Sequence, residues 1–379
     1  MSDLQPGTIF GRDFRVVKAL RAGGMGAVYI VDQLSTGKQR ALKVMAPELA
    51  SDPATRERFV LEARAGSKID SDHVVEVVTA GVDEETGSPF LVMELLKGEE
   101  LADCLERVGP LPLGDVAEIF QQVGHALEQA HAQGIVHRDL KPENIFLAVS
   151  RRRESNFTAK ILDFGIAKLV ADSQKTGTQP LGSPLFMSPE QTDRKGRISP
   201  ATDVWALGLI AFRLLTGRDF WVETDSLPML LREMCVNDIP FASERAAELG
   251  LTMTLPHGFD AWFARCVNRD IDARFPEAGE AVRAFAELVD SDAPRGAVVI
   301  TGGRSATGNL DDRGSQASAT ARTALSDPPP SGVKIRPATG AADPVSVGAA
   351  TVGVSVGAAT GVTGDPMIAT GSLVKDRKS

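Results

Sequence analysis

The run His137-Arg138-Asp139-Leu140-Lys141-Pro142-Glu143-Asn144, followed by Asp163-Phe164-Gly165, decides how the rest of the chain is read. It sets carboxylates, basic side chains and an amide side by side, and the second stretch adds another carboxylate. Phosphoryl transfer asks little covalent help of a protein. It needs a carboxylate to orient the attacking hydroxyl, cations to neutralise developing charge, and oxygen ligands for Mg2+. The two stretches together hold each of those groups.

Working upstream, Gly23, Gly24 and Gly26 in the run RAGGMGAVY lie between two predicted strands. Only glycine lets backbone N–H groups approach phosphate oxygens without a side chain intervening. The same spacing also serves a plain hairpin turn. No Gly-Lys-Ser/Thr follows, so this is not a Walker A loop. Lys43, in ALKVM, ends a β-type run. Such a lysine is either an exposed edge charge or, held by Glu62 on the following helix, a point charge for α- and β-phosphates.

The pattern up to about Leu95 is strand-rich, with β-type runs at 14–20, 27–33 and 39–44 separated by turns such as Thr36-Gly37. One helix interrupts them: Asp52 can cap it, Pro53 suits its first turn, and Phe59, Glu62 and Ala63 share a side. Beyond Leu95 the period becomes helical. Over 115–133, Val116, Ile119, Phe120, Val123, Leu127 and Ala130 form one stripe, which Gly134 stops. Stretches 260–268 and 277–290 predict further helices, and 204–215, interrupted only by Gly208, predicts a buried one. The fold class is α+β: a small antiparallel β-rich lobe with one helix over 14–95, then a larger helical lobe over 96–290. Residues 1–13 form a leader.

In this order the motifs resemble those of the eukaryotic-type protein kinases, specifically the Ser/Thr kinases of bacteria. The resemblance spans about Phe14 to Asp290. It adds Met187-Ser188-Pro189-Glu190 as the close of an activation segment, with Arg274 as partner of Glu190, and Asp203-Val204-Trp205-Ala206-Leu207-Gly208 as the central helix. It implies ATP with Mg2+, or Mn2+ in its place. Asp139 would accept the substrate proton, Lys141 contact the transferred phosphoryl, and Asn144 and Asp163 bind metal, while Lys43 pairs with Glu62. Adenine would lie between Val28 and Ala41 above and Phe146 below, against the hinge residues Met93, Glu94 and Leu96. Glu100 would meet the ribose. Lys141 marks the Ser/Thr type, and the single tyrosine, Tyr29, excludes tyrosine autophosphorylation in the activation segment. Ser173, Thr176, Thr178 and Ser183 are the hydroxyls there, and a phosphate on Thr176 or Thr178 would pair with Arg138.

Three positions depart from the family pattern. Arg21 replaces the first loop glycine, Gly66 stands where an apolar side chain is usual, and Ser183 replaces threonine. The alternative readings are a binding module of the same fold without activity, or a small-molecule phosphotransferase. The first predicts a missing Lys, Asp or metal ligand, and none is missing. The second generally lacks both the HRDLKPEN run and the Glu190–Arg274 closure.

A net charge of −9 and a pI near 5.2 argue against nucleic acid or anionic membrane as partner. Cys104, Cys235 and Cys266 have no metal-ligand or disulfide spacing, which fits a reducing, cytoplasmic setting. No apolar run reaches the roughly 18–20 residues that span a bilayer. From about Ser291 the chain turns rich in Gly, Ala, Ser, Thr and Pro and loses its aromatics, so 291–379 is expected to be a disordered tail. Its hydroxyls, among them Thr301, Ser305, Thr307, Thr323 and Ser331, suit a linker or a phosphorylated docking segment for phosphothreonine-reading domains. Protein substrates are the expected partners. Oligomeric state is not readable.

Overall fold

The computed structural model describes residues 4–23, 26–46, 50, 56, 59, 66, 68–150, 156–164, 184–193, 195–289, 296, 298 and 300. All of these fall in the unit Met1–Arg313; a second unit, Gly314–Ser379, lies outside the described residues. So do Gly24, Glu62, Gly165, Ser173, Thr176, Thr178 and Ser183.

The amino-terminal lobe is a six-stranded antiparallel sheet in the order β1-β2-β3-β4-β6-β5. Its strands are β1 (Ile9–Phe10), β2 (Phe14–Gly23), β3 (Gly26–Gln33), β4 (Lys38–Met45), β5 (Val77–Val82) and β6 (Pro89–Glu94). The three strands predicted from alternation are β2, β3 and β4, each slightly longer than expected. Alternation sorts their side chains. Ala27, Tyr29 and Val31 join Phe10, Phe14, Leu42 and Val92 in one buried cluster. On the opposite face Ala41, Met45, Leu91 and Met93 pack with Phe59 and Val28. Ala50, Arg56, Phe59 and Gly66 have helical backbone, where one helix was predicted.

The second lobe begins with a small sheet, β7 (Gly98–Glu100), β8 (Ile145–Val149) and β9 (Phe157–Ile161), in sequential antiparallel order. The lobe holds eight helices among the described residues, the first two between β7 and β8: α1 (Leu101–Val108), α2 (Leu113–Ala132), α3 (Pro189–Thr192), α4 (Pro200–Thr216), α5 (Leu227–Cys235), α6 (Ala242–Glu248), α7 (Phe259–Cys266) and α8 (Ala278–Ala286). The 115–133 stripe is α2, and Gly134 after it takes φ 72°, the left-handed stop that glycine supplies.

Helix α4 is the axis of this lobe. Ser199 and Thr202 form its capping box, Pro200 opens it, and Gly217 closes it at φ 72°. Nearly every residue between is buried. Gly208 is there for contact: a Cβ would sit 2.7 Å from the Cβ of Cys266, so α4 and α7 approach backbone to side chain. Phe212, Phe220, Phe259 and Phe263 fill the space around that crossing with tilted and edge-on ring contacts.

The composition change near Ser291 does not end the packing. Asp115, buried in the first turn of α2, accepts the backbone N–H of Gly296 at 2.8 Å and of Val298 at 3.2 Å. Val298 is itself fully buried in the helical core. Isolated apolar residues in a Gly/Ala-rich stretch give no period, which is why this anchor was not legible.

Candidate active site

The run from His137 to Asn144 lies between α2 and β8, with Pro142–Asn144 forming a short 3-10 turn. Its backbone is strained at Arg138, a non-glycine at φ 67°. Asp203, near the start of α4 and 1% exposed, offsets that strain. Its carboxylate accepts the backbone N–H of His137 and of Arg138, both at 2.9 Å, and Nε2 of His131 at 2.8 Å. Burial would push this carboxyl up; the His131 bond and charge and the Arg138 N–H outweigh it and hold it below its ordinary value.

His137 is fully buried and organises rather than reacts. Nδ1 lies 3.2 Å from the Asp139 N–H, which donates to it, and Nε2 lies 2.9 Å from the Leu162 carbonyl, so Nε2 carries the proton. Its ring also meets Phe164 edge-on at 4.9 Å. One imidazole therefore ties this run to the residue just before Asp163. The sequence reading assigned no role to His137 and saw Asp203 only as part of a helix motif. The available signal was a lone carboxylate heading an otherwise apolar helix.

Asp139 is the centre of a cluster. Lys141 Nζ donates to it at 2.9 and 3.2 Å, and Asn144 Nδ2 donates to its side chain at 3.0 Å and to its carbonyl at 2.6 Å. With the Asn144 amide nitrogen engaged twice, its oxygen is the end left to face a cation. Lys43 Nζ reaches Asp163 Oδ2 at 2.6 Å. Burial pulls the Asp163 carboxyl up, but the charge and hydrogen bond of Lys43, with Lys141 beyond it, hold it below the ordinary carboxylate range. Asp163 adopts φ 56°. The structure thus brings together Lys43, Asp139, Lys141, Asn144 and Asp163. Glu62 and Gly24 cannot be compared, since they lie outside the described residues.

The walls of the cleft follow from register, because directly opposed residues in an antiparallel pair share a face. Arg21 opposes Val28, and Val28 opposes Lys43, so the three form one row across β2, β3 and β4. Ala41 opposes Met93 on the same face, beside Leu96. On the lower sheet Glu100 opposes Phe146; Ile145 and Leu147 point to the helical core, and Phe146 belongs to the other face. The hinge is braced by Glu94, whose carboxylate accepts Lys160 Nζ at 2.7 Å and the Glu76 N–H at 2.9 Å. Gly26 has a steric reason of its own: at φ 141° a Cβ would lie 2.0 Å from the Val44 carbonyl oxygen. Tyr29 is buried on the far face from the cleft.

Hard oxygen donors from one amide and one carboxylate suit Mg2+, which keeps waters and phosphate oxygens for the rest of its shell. The donor chemistry of Asn144 and Asp163 fits that ion.

A β-sheet lobe and a helical lobe enclosing such a cleft define the protein kinase class. The family model described as "Protein kinase domain" matches residues 14–275, and the chain belongs to that family. Among its relatives, the serine/threonine-protein kinase Pkn1 of Myxococcus xanthus is 43% identical over 208 residues, covering 54% of this chain and 29% of Pkn1. The serine/threonine-protein kinase pkn2 of the same organism is 35% identical over 278 residues, covering 72% of this chain and 32% of pkn2. The chain thus spans about a third of the length of either relative. Among solved structures, the PknI kinase domain of Mycobacterium tuberculosis superposes with a TM-score of 0.58 at 25% identity, covering 76% of this chain and 99% of that one. The kinase domain is of the eukaryotic-type Ser/Thr class found in bacteria. Among the described residues no helix is long and apolar enough to cross a membrane.

Proposed function

We propose that this chain transfers the γ-phosphoryl group of ATP to Ser or Thr hydroxyls of protein substrates. The observation that carries this reading is the cluster joining Lys43 to Asp163 at 2.6 Å and Lys141 and Asn144 to Asp139 at 2.9 and 3.0 Å. Asp139 orients the attacking hydroxyl and takes its proton as the new O–P bond forms and ADP leaves. Lys141, already on Asp139, faces the transferred phosphoryl. Lys43 turns from Asp163 toward the α- and β-phosphates. Asn144 and Asp163 would hold Mg2+, or Mn2+ in its place, which supplies charge neutralisation to the phosphates when bound. Val28 and Ala41 above and Phe146 below would enclose adenine, with hydrogen bonds to the backbone at Glu94 and Leu96 and a ribose contact at Glu100. Glu62 pairing with Lys43, and Gly23, Gly24 and Gly26 covering phosphates, complete the reading.

Activation by phosphorylation at Thr176 or Thr178 is part of it. Arg138 Nε is buried and has no partner among the described residues, which suits a phosphate acceptor. A cytoplasmic location is supported by three free thiols. The tail's Ser and Thr residues suit a linker first, and a docking segment for phosphothreonine-reading domains second. The proposed kinase domain begins at about 14 and runs past 290 to include the packed residues Val298 and Ile300, with the tail beyond them.

The test is transfer of labelled phosphate from Mg-ATP to a general protein substrate and to the chain itself. Asp139→Asn should lower turnover by roughly 10²–10⁴-fold, and Lys43→Met should lower it comparably. Transfer that survives Asp139→Asn unchanged would remove the assignment.

A further inference from the structure

Arg21 and Glu100 face each other across the mouth of the cleft. Arg21 sits on β2 of the upper sheet, Glu100 at the end of β7 in the lower one, and Nη1 of Arg21 lies 2.5 Å from Oε1 of Glu100. This is a direct ion pair between the two sheets that wall the cleft.

The pair depends on the register of β2. That strand carries two irregularities, one between Val16 and Lys18 and one between Ala19 and Arg21. The first puts Ala19 out of step with Arg15 and onto the face of Tyr29, away from the cleft. The second restores the phase, setting Arg21 opposite Val28 and so on the face of Val28 and Lys43. Below, Glu100 opposes Phe146 and so stands on the cleft face of its own sheet. Both residues therefore point into the space the nucleotide reading gives to adenine and ribose.

We infer that Arg21 is a determinant of nucleotide affinity, acting as a latch that competes with the ribose hydroxyls for Glu100. The inference rests on the nucleotide reading given above. A carboxylate that accepts a guanidinium at this distance must share or release it before accepting a ribose hydroxyl. Binding then bears the loss of the pair. Arg21 is 64% exposed and Glu100 only 20%, so the pair is open to salt from the Arg21 side. An exposed pair of this kind shifts an equilibrium by roughly two- to five-fold.

The test measures equilibrium binding of Mg-ATP by calorimetry, with no phosphotransfer involved. Arg21→Gln is used rather than a glycine, so that loop flexibility does not change with charge. The variant should bind Mg-ATP about two- to five-fold tighter than the wild type at low salt. That gain should shrink at high salt and vanish when both proteins also carry Glu100→Gln. With 2′,3′-dideoxy-ATP, which has no hydroxyl to offer Glu100, the wild type should lose less affinity than Arg21→Gln does. Equal or weaker binding by Arg21→Gln, or a gain that persists with Glu100→Gln, overturns the latch while leaving the nucleotide site standing. Failure of both the wild type and Arg21→Gln to bind millimolar Mg-ATP overturns the nucleotide reading and the latch with it.

Discussion

A Cβ added to Gly66 would meet, among the described residues, only Phe164 Cβ, at 3.9 Å, an ordinary contact. The backbone there is helical and buried. Gly66→Ala should therefore stabilise the fold by roughly 0.5–1 kcal/mol through helix propensity. A chemical denaturation midpoint that falls in the variant would contradict this. The residues proposed to do chemistry were legible singly, since Asp139, Asn144 and Asp163 are chosen by what their atoms can bind. Arg21 was legible only as a departure. Its partner, Glu100 on the other sheet, is one that no local pattern announces.

At the scale of elements, α4 holds the run from His137 to Asn144 through one carboxylate. Asp203→Asn keeps one acceptor oxygen but turns an N–H2 toward donors from His137, Arg138 or His131. It should cost about 1–3 kcal/mol of stability and lower phosphotransfer by more than it lowers nucleotide binding. Unchanged turnover in a folded variant would show that the loop holds itself. A second link of this kind is the Asp115 anchor. In Asp115→Ala the amides of Gly296 and Val298 should lose protection from hydrogen exchange while α4 keeps its own; retained protection would assign the anchor to Val298 burial alone. The helices were readable from period because each presents one apolar face. The anchor joins positions about 180 residues apart and leaves no local pattern.

At the scale of the second lobe, Arg274 is the largest fully buried charged side chain among the described residues. Its guanidinium forks onto Glu190 with two 2.8 Å bonds, donates to the carbonyls of Ala201 and Asn268, and lies 4.9 Å from the Trp205 ring. Arg274→Ala would leave Glu190 buried without its cation. A loss of about 3–5 kcal/mol is expected, read by equilibrium unfolding; a loss under 1 kcal/mol would mean that water replaces the guanidinium freely. The pH dependence has a definite sign. Burial raises Glu190, but Arg274 and Thr202 hold it below its ordinary value, and Asp163 and Asp203 are depressed as well. A depressed carboxyl contributes stability that is complete above its unfolded pKa, about 4, and is lost as pH falls through the lower folded value. The protein should therefore unfold in acid with proton uptake, and Glu190→Gln should flatten that limb of a stability–pH curve.

Chemistry and period belong to the sequence. HRDLKPEN with DFG, the strand alternation before Leu95 and the helical stripes after it were enough to define two lobes and to single out candidates for the cleft between them. They work because side-chain identity and local repeat are both local properties. Register, bulges and long-range ion pairs were decided only in three dimensions. The Arg21–Glu100 pair, the His137 bridge to Leu162 and the Asp115 anchor all join segments whose spacing along the chain says nothing of their distance in space. That distance is set by how two sheets and a buried helix pack, and packing is a property of the whole.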